Sequence, residues 1–121
     1  MIQGVGIDLT ELSRIRQVAT KEPRFITRVL TAAEQHQYEQ FDGQRAVEYL
    51  GGRWSLKESF AKAMHTGIGA AVGFQDIEIL DNDAGAPVVT KSPFDGNVQV
   101  SVSHTADLVM TEVILEEGAQ Q

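Results

Sequence analysis

The sequence predicts an α+β fold, in which an N-terminal strand is followed by helices and the longest helix packs on a C-terminal antiparallel sheet. Two observations support this. Apolar residues recur with helical spacing from residue 12 to about residue 64, whereas from residue 76 onwards they alternate with polar residues, as in strands. A run of helices followed by a run of strands is typical of α+β proteins.

The N-terminal strand is expected at residues 2–9, where two sets of side chains alternate. One set is apolar and the other is small or acidic: Val5, Ile7 and Leu9 against Gly4, Gly6 and Asp8. This period of two is that of a strand. Thr10 is then expected to cap a helix that keeps its apolar spacing as far as Ala19, and Pro23 to open a shorter helix that ends near Leu30.

A third helix and the longest helix come next. Residues 31–34 read Thr-Ala-Ala-Glu, the pattern of a capping box at a helix start, and residues 41–43, Phe-Asp-Gly, indicate a break. The longest helix is expected from about residue 44 to residue 64. It ends in the glycine-rich stretch 65–73, whose glycines permit backbone turns that other residues avoid.

Four strands are expected in the C-terminal part, because apolar and polar residues alternate there between turn residues. They correspond to the stretches DIEIL, VVT, NVQVSVSH and DLVMTEVILE. Thr105 and Ala106 would join the last two in a tight hairpin, which gives an antiparallel meander. A single domain over residues 1–116 and a flexible tail at 117–121 account for the 121 residues of the chain.

Composition narrows the classes of function. The formal net charge of −7 argues against a general nucleic-acid-binding protein, since phosphate contacts need a basic surface. The chain has no cysteine, which excludes disulfides and fits a reducing compartment. No segment is apolar enough to span a membrane, and no basic leader precedes an apolar run. We therefore expect a cytoplasmic protein that binds neither nucleic acid nor membrane.

A local basic segment contrasts with the acidic whole. Between residues 14 and 28 the cations are opposed by a single acid: Arg14, Arg16, Lys21, Arg24 and Arg28 against Glu22. Such a segment could attract an acidic partner. It could equally be the solvated face of a helix, and composition alone leaves both interpretations open.

Asp8 is a candidate functional residue because it follows Gly4 and Gly6 on the same face of the predicted strand. Without bulky neighbours on that face, a ligand or a metal ion could approach its carboxylate closely. The alternative is that Asp8 only ends the strand or caps the next helix.

The stretch WSLKESFAKAM, residues 54–64, places charges on an otherwise amphipathic helix. Its spacing separates a possible core face from a mixed face: Leu56, Phe60, Ala63 and Met64 against Trp54, Glu58, Ala61, Lys62 and His65. Glu58 and Lys62 lie one turn apart, so they could be a surface ion pair worth roughly 0.2–0.5 kcal/mol. Such a pair would not explain the tryptophan beside it. Nor would it explain the glycine-rich loop that follows, a kind of loop that often binds phosphate through backbone N–H groups.

His104 ends a run of three alternating valines, so strand alternation places its side chain on their apolar face. A lone histidine in that position is more often a core residue than a catalytic one. Strand ends nevertheless deliver side chains to sites, and Ser103 and Thr105 offer hydroxyl groups nearby.

The candidate residues suit a magnesium site. Mg²⁺ commonly binds through one or two carboxylates plus phosphate oxygens, and Asp8 and Glu58 could supply the carboxylates. Zinc is disfavoured, because His36, His65 and His104 have no ligand-like spacing. The sequence has no Walker A motif or dinucleotide fingerprint, which disfavours the common nucleotide-binding folds.

Three segments in this order, GVGIDLTELSRI, GGRWSLKESFAKAMHTGIG and VSVSH, resemble the phosphopantetheinyl transferases, and the short chain resembles their holo-acyl-carrier-protein synthase branch. The resemblance extends over essentially the whole chain, including LTAAE and DNDAGAPVV. It implies a phosphopantetheinyl transferase-like fold and a homotrimer. It also implies Mg²⁺-dependent transfer of the phosphopantetheine arm of coenzyme A to a serine of an acyl carrier protein, with adenosine 3′,5′-bisphosphate as the second product.

The resemblance implies roles for individual residues. Asp8 and Glu58 match the metal ligands, and Lys62 matches the lysine near the reacting phosphate. The positions expected around the coenzyme are Arg53, Lys57, Lys62, Thr66, Gly67 and His104. The acidic carrier protein would dock on the basic segment through Arg14, Arg24 and Arg28. The sequence departs from the commonest family pattern at Leu30, Ser55, Ser59, where alanine is usual, and His65.

Two other functions stay open at this point. One is a non-catalytic module that holds a nucleotide or an acidic protein with the same basic segment and glycine-rich loop. The other is a different Mg²⁺-dependent phosphoryl-group enzyme, such as a small phosphohydrolase. Modification of an apo carrier protein by coenzyme A distinguishes the transferase from both.

Overall fold

The structure is a computed structural model that describes residues 1–118. Within this range the chain forms an α+β fold with a strand first, then helices, then strands. The elements are β1 (Ile2–Glu11), α1 (Leu12–Lys21), α2 (Arg24–Val29), α3 (Ala32–Tyr38), α4 (Gly43–Ala63), a short 3-10 helix (Phe74–Asp76), β2 (Glu78–Asp81), β3 (Pro87–Lys91), β4 (Gly96–His104) and β5 (Leu108–Glu117).

The strands form two antiparallel sheets, not the single C-terminal meander that the sequence predicts. The larger sheet has the order β1-β5-β4, so the N-terminal strand lies beside the last one, and β2 and β3 form a separate pair. Pro93 lies between β3 and β4, where it has no backbone N–H to continue a ladder. Because β1 pairs with β5, Asp8 lies directly opposite Thr111.

Helix α4 is the centre of the molecule and contacts both hydrophobic cores. Its second half packs on the larger sheet in a cluster of Leu56, Phe60, Ala61, Ala63, Val72, Ile77, Ile79, Val113 and Leu115. Its first half packs on α1 and α2 in a cluster of Ile15, Val29, Leu30, Tyr49 and Leu50. Between Tyr49 and Ala61 every residue except Trp54 and Glu58 is buried. The predicted packing of one long helix on the sheet is therefore confirmed.

Two glycines allow α4 to lie against β1. A Cβ atom at Gly6 would lie 1.9 Å from the carbonyl oxygen of Ser59, and one at Gly4 would lie 2.0 Å from that of Ala63. The glycines thus make room for the helix backbone. The expectation that they open a path for a ligand to Asp8 is wrong.

The other face of β1 is apolar and exposed. Ile7 and Leu9 are 59% and 64% accessible, and Met110, opposite Leu9 on β5, adds to the same surface. Val5 and Ile2 extend it along the strand. An apolar strip of this kind on a sheet is typical of a surface that another protein chain covers.

Several local predictions can be compared with the structure. The capping box is confirmed, since the Thr31 hydroxyl accepts from the Glu34 N–H while the Glu34 carboxylate accepts from the Thr31 N–H. Thr10 does not cap α1, because the ladder with β5 continues through Glu11.

Glu117 belongs to β5, and residues 119–121 of the predicted tail lie outside the described residues. Across residues 1–118 no helix is both long and apolar enough to cross a membrane.

The close contact between β1 and α4 predicts a steep cost for a side chain at Gly6. Gly6→Ala would place its methyl group on the Ser59 carbonyl oxygen, so the strand must move away from the helix. We expect a loss of about 1–3 kcal/mol in the free energy of unfolding, measured by urea denaturation. Gly52→Ala is the matched control, because a Cβ atom there meets no atom within 4 Å and alanine favours a helix. Equal stability of the two variants would contradict this account of the contact.

Candidate active site

Asp8 is held by hydroxyl groups on one side and faces a cation on the other. Its Oδ2 accepts hydrogen bonds from Thr10 Oγ1 at 2.6 Å and from Ser55 Oγ at 2.7 Å. Its Oδ1 lies 3.2 Å from Lys62 Nζ, and the side chain is 10% exposed. The carboxylate is therefore nearly buried, with one oxygen directed into the site.

Lys62 lies in the last turn of α4 and reaches across to β1. Its Nζ donates to the Ile7 carbonyl at 3.1 Å and to Asp8, while half of the side chain, 51%, stays exposed. The surface pair with Glu58 that helical spacing allows is not the ion pair that this lysine makes in the described chain. Lys62 is thus a half-exposed cation at the edge of the site, accessible to an anionic ligand as well as bonded to Asp8.

Glu58 faces the same site from α4. Partial burial, followed by the negative charge of Asp8, raises the pKa of Glu58 above its ordinary value, while Lys62 opposes this rise. Two carboxylates from different elements that repel each other in this way are a suitable pair for a divalent cation. Within residues 1–118 no group of three or more histidine, cysteine or acidic side chains is arranged to hold a metal ion. A pair of carboxylates fits Mg²⁺, which commonly takes its other ligands from water and phosphate.

A groove of about 430 Å³ adjoins this site. It runs from Asp8 along β1 to α1 and α2, and its walls are largely apolar: Val18, Phe25, Trp54 and Leu108, with Arg14 on its lining. Trp54, which the helical pattern left unexplained, thus forms part of a wall beside Asp8. The groove could receive a segment of a partner that carries the reacting group.

His104 lies in a second cavity, of about 240 Å³, where β4 ends against α4 and the β2–β3 hairpin. Its side chain is half exposed, and its Nδ1 lies 3.8 Å from Glu48 Oε2. His104 is therefore not a core residue. Arg45 and Arg53 line the same cavity, which makes it a suitable place for a phosphate group.

Arg53 also ties α4 to β2. Its Nε donates to the Ile79 carbonyl at 2.7 Å, a second nitrogen pairs with Asp81 at 2.7 Å, and its guanidinium lies 4.2 Å from the centre of the Tyr49 ring. These contacts fix the plane of the guanidinium at the cavity wall. Its predicted role at the coenzyme stays a prediction.

Sequence reasoning missed Arg45 and Glu48, which share this cavity. Arg45 lies over the Phe41 ring, and the Glu48 carboxylate lies 3.8 Å from the His104 ring. Their signal was available, because Arg45, Glu48, Gly52 and Arg53 recur at helical spacing on one face of α4. That face carries charge at a level of the helix where Tyr49 and Leu50 are buried.

Lys57 is the clearest correction. Its side chain is fully buried, and its ammonium donates to Glu34 Oε1 at 2.6 Å, the Val29 carbonyl at 2.7 Å and the Phe74 carbonyl at 3.0 Å. An ammonium has three N–H donors, so none is left for a phosphate. The expectation that Lys57 binds the coenzyme is wrong; it joins α4 to α3 instead.

The Thr66–Gly67 loop is also used internally. The backbone N–H groups of Thr66 and Gly67 both donate to the Ala61 carbonyl and so close the C-terminus of α4. Gly67 has a φ of +71°, the left-handed conformation that glycine adopts without strain. Any contact of this loop with a phosphate must therefore come from other groups than these two N–H donors.

The basic segment lies on α1 and α2. Arg14, Arg24 and Arg28 are all exposed, and Arg14 lies beside the groove that leads to Asp8. Arg16 is engaged elsewhere, since it donates to the Gln44 side chain. The predicted docking surface is therefore available and adjoins the candidate site.

The comparisons with known proteins now decide the family. The sequence model of the 4′-phosphopantetheinyl transferase superfamily matches residues 4–113. The chain belongs to this superfamily, in its holo-acyl-carrier-protein synthase family. The predicted family and the predicted class of enzyme, a transferase, are confirmed.

Relatives of this family match over nearly their full length. The holo-acyl-carrier-protein synthase of Limosilactobacillus reuteri is 67% identical over 96% of this chain and 97% of its own. That of Levilactobacillus brevis is 59% identical over 98% and 97%. The solved synthase of Bacillus anthracis, in complex with coenzyme A (3′,5′-ADP), has a TM-score of 0.91 at 37% identity, covering 98% of this chain and 99% of that one. The predicted fold class is confirmed.

The two lysines of α4 are predicted to differ in what they stabilise. Lys57→Met leaves the Glu34 carboxylate buried without its cation, so we expect a loss of about 3–5 kcal/mol in the free energy of unfolding by urea denaturation. Lys62→Met is the matched control and removes only a solvent-accessible pair, worth about 1 kcal/mol or less. A Lys57→Met variant as stable as Lys62→Met would refute the structural role of Lys57.

Proposed function

We propose that this chain transfers the 4′-phosphopantetheine group of coenzyme A to a serine hydroxyl of an apo acyl carrier protein in a Mg²⁺-dependent reaction. The observation that carries the proposal is the meeting of Asp8, Glu58 and Lys62 where β1 packs on the end of α4. Membership of the synthase family supports it, as does the Bacillus anthracis structure with coenzyme A.

The reaction exchanges one phosphorus–oxygen bond for another. The serine oxygen bonds to the phosphorus that carries pantetheine, and the bond from that phosphorus to the bridging oxygen breaks. Adenosine 3′,5′-bisphosphate leaves with the bridging oxygen, and the serine proton passes to a base. Negative charge therefore accumulates on the leaving oxygen, which is the charge that a catalyst must stabilise.

The residues of the site fit this requirement. Asp8 Oδ1 and Glu58 would hold Mg²⁺, which supplies neutralisation of the pyrophosphate charge when bound. Lys62 can turn its exposed ammonium from Asp8 to the pyrophosphate. Glu58, whose pKa is raised, accepts a proton more readily than an ordinary carboxylate and would orient a water that takes up the serine proton.

The cavity beside His104 is proposed to bind the nucleotide end of coenzyme A. Arg45 and Arg53 place two guanidinium groups there, and His104 adds an imidazole that can donate to a phosphate oxygen. The Thr66 side chain stays a proposed contact from the glycine-rich loop. The predicted cytoplasmic location stays a prediction.

A homotrimer is proposed to complete the site. Asp8 and His104 line different cavities of the same chain, and the exposed apolar face of β1 lies beside Asp8. Association through that face would cover Ile7 and Leu9 and could bring the two cavities of neighbouring subunits together. It would also stabilise a small domain through mass action.

The acidic carrier protein is proposed to dock on α1 and α2. Arg14, Arg24 and Arg28 provide the charge, and the apolar groove between Arg14 and Trp54 leads to Asp8. A carrier bound there would bring its serine towards the metal-binding carboxylates. Charge complementarity of this kind mainly raises the rate of association.

The transfer itself is tested by incubating the protein with coenzyme A, Mg²⁺ and apo carrier protein and measuring the carrier's mass. We expect the phosphopantetheine adduct, and we expect Asp8→Asn and Glu58→Gln each to reduce its rate at least about 100-fold by weakening the metal site. Asp83→Asn, an exposed acid in the β2–β3 turn, is the control and should leave the rate unchanged.

Two results would favour one of the two other functions over the transferase. Coenzyme A binding without any mass increase of the carrier would favour the non-catalytic module. Phosphate release without a carrier would favour the phosphohydrolase. Full activity of both carboxylate variants would remove the proposed metal site while leaving the family unchanged.

Carrier docking predicts a specific kinetic signature for Arg14. Arg14→Glu replaces an attractive charge by a repulsive one, so the KM for the carrier should rise about tenfold or more at low salt, while kcat changes little. The dependence of kcat/KM on salt should weaken at the same time. Lys91→Glu, a charge reversal on β3, serves as the control. A carrier KM unaffected by Arg14→Glu would exclude this surface.

The proposed trimer predicts a change of mass when its apolar face is charged. Leu9→Lys should convert the trimer to a monomer in size-exclusion chromatography with light scattering, because a lysine would be buried in the interface. Val88→Lys places the same charge on an exposed apolar position of β3 and should leave the trimer intact. A monomeric wild-type chain at micromolar concentration would exclude the proposal.

A further inference from the structure

Two of the positions where the sequence departs from the common family pattern, Ser55 and Ser59, face the same point in the structure. They lie one turn apart on α4 and are fully buried against β1 and β5. Ser55 Oγ lies 2.7 Å from Asp8 Oδ2 and 2.9 Å from Thr111 Oγ1. Ser59 Oγ lies 2.6 Å from the same Thr111 hydroxyl. Three buried hydroxyl groups thus form a chain that ends on Asp8.

The direction of this chain follows from counting protons. Each hydroxyl has one proton to donate, and an ionised carboxylate can only accept. Ser55 must give its proton to Asp8, so it accepts the proton of Thr111. Thr111 has then used its only proton, so Ser59 donates to Thr111, whose hydroxyl oxygen lies 2.6 Å away and whose carbonyl oxygen lies 3.3 Å away. Through the shorter of these contacts, the hydrogen bonds run from Ser59 through Thr111 and Ser55 to the carboxylate.

The consequence is that the two oxygens of Asp8 are not equivalent. Oδ2 accepts from Thr10 and, through the chain, from Ser55. Among the residues that the structure describes, Oδ1 bonds only to Lys62, whose side chain is half exposed. Rotation of the carboxylate would break two hydrogen bonds to a charged group, which are the stronger kind. Oδ1 is therefore kept available for a cation.

We propose that Ser55, Thr111 and Ser59 form a positioning network that makes Asp8 a ligand through Oδ1 alone. This inference rests on the proposed Mg²⁺ site and assigns to it three residues that touch neither metal nor substrate. It depends on the strand pairing, because Thr111 lies directly opposite Asp8 in the β1–β5 ladder. A network that orients a metal ligand in this way commonly affects metal affinity as strongly as stability.

A purely structural role makes a different prediction. If the hydroxyl groups only provide hydrogen-bond partners for one another between helix and sheet, each truncation should lower the free energy of unfolding, whatever its distance from Asp8. If they position Asp8, the effect on metal binding should decline along the chain. Ser55→Ala should be most damaging, Thr111→Val intermediate and Ser59→Ala least.

The test uses Mn²⁺ binding to the purified full chain without coenzyme A, followed by the electron paramagnetic resonance signal of free Mn²⁺. Asp8→Ala defines the loss of the site. We expect Ser55→Ala to raise the dissociation constant roughly tenfold or more and Ser59→Ala to change it least. The thermal unfolding temperatures of the same variants measure the loss of packing, which should be similar in Ser55→Ala and Ser59→Ala.

The outcomes separate this inference from the proposed function. Binding to Ser55→Ala as tight as to wild type, or equal losses in all three variants, overturns the network while leaving the metal site in place. Wild-type binding that Asp8→Ala does not weaken overturns the metal site, and the network with it. The graded order together with similar unfolding temperatures supports the network.

Discussion

The close approach of β1 to α4 is the contact on which the rest of the site depends. It exists because Gly4 and Gly6 have no side chain where the carbonyl groups of Ala63 and Ser59 lie. At this separation Asp8, on the same face of the strand, reaches Ser55 at 2.7 Å and Lys62 at 3.2 Å. Hydrogen bonds weaken steeply beyond such distances, so a strand displaced by the size of a methyl group would lose both contacts. The geometry of the candidate site is thus a consequence of two glycines, which have no side chain.

The rotation of α4 about its axis is the second constraint, and the buried Lys57–Glu34 pair accounts for it. Glu34 accepts from Lys57 and from the backbone of Thr31 and Ile79, so one carboxylate joins α4, α3 and β2. Successive side chains on a helix point about 100° apart. Fixing Lys57 towards α3 therefore turns Glu58 towards Asp8. A buried ion pair by itself adds little net stability, so this orientation is its main structural consequence.

The sequence predicts the order of elements well because each one has a local signal. The capping box at Thr31 and the glycine-rich end of α4 lie within a few residues of the elements that they limit. Asp8 and Glu58 were predicted from short motifs and a family resemblance. The burial of Lys57 could not be predicted in this way, and neither could the row of hydrogen-bonded hydroxyl groups from Ser59 to Asp8. Their partners, Glu34 and Thr111, are brought to them only by helix packing and by the pairing of the first strand with the last.

Charge is unevenly distributed over this protein. The chain has a net charge of −7, yet α1 and α2 present Arg14, Arg24 and Arg28 to solvent, and Arg14 lines the groove that reaches Asp8. On the proposed docking, an acidic partner would be repelled by most of this surface and attracted by the basic segment, so that encounters would be oriented before any contact forms. The acidic composition therefore does not conflict with an acidic partner. It would favour an approach on the side of Arg14, beside the groove that leads to Asp8.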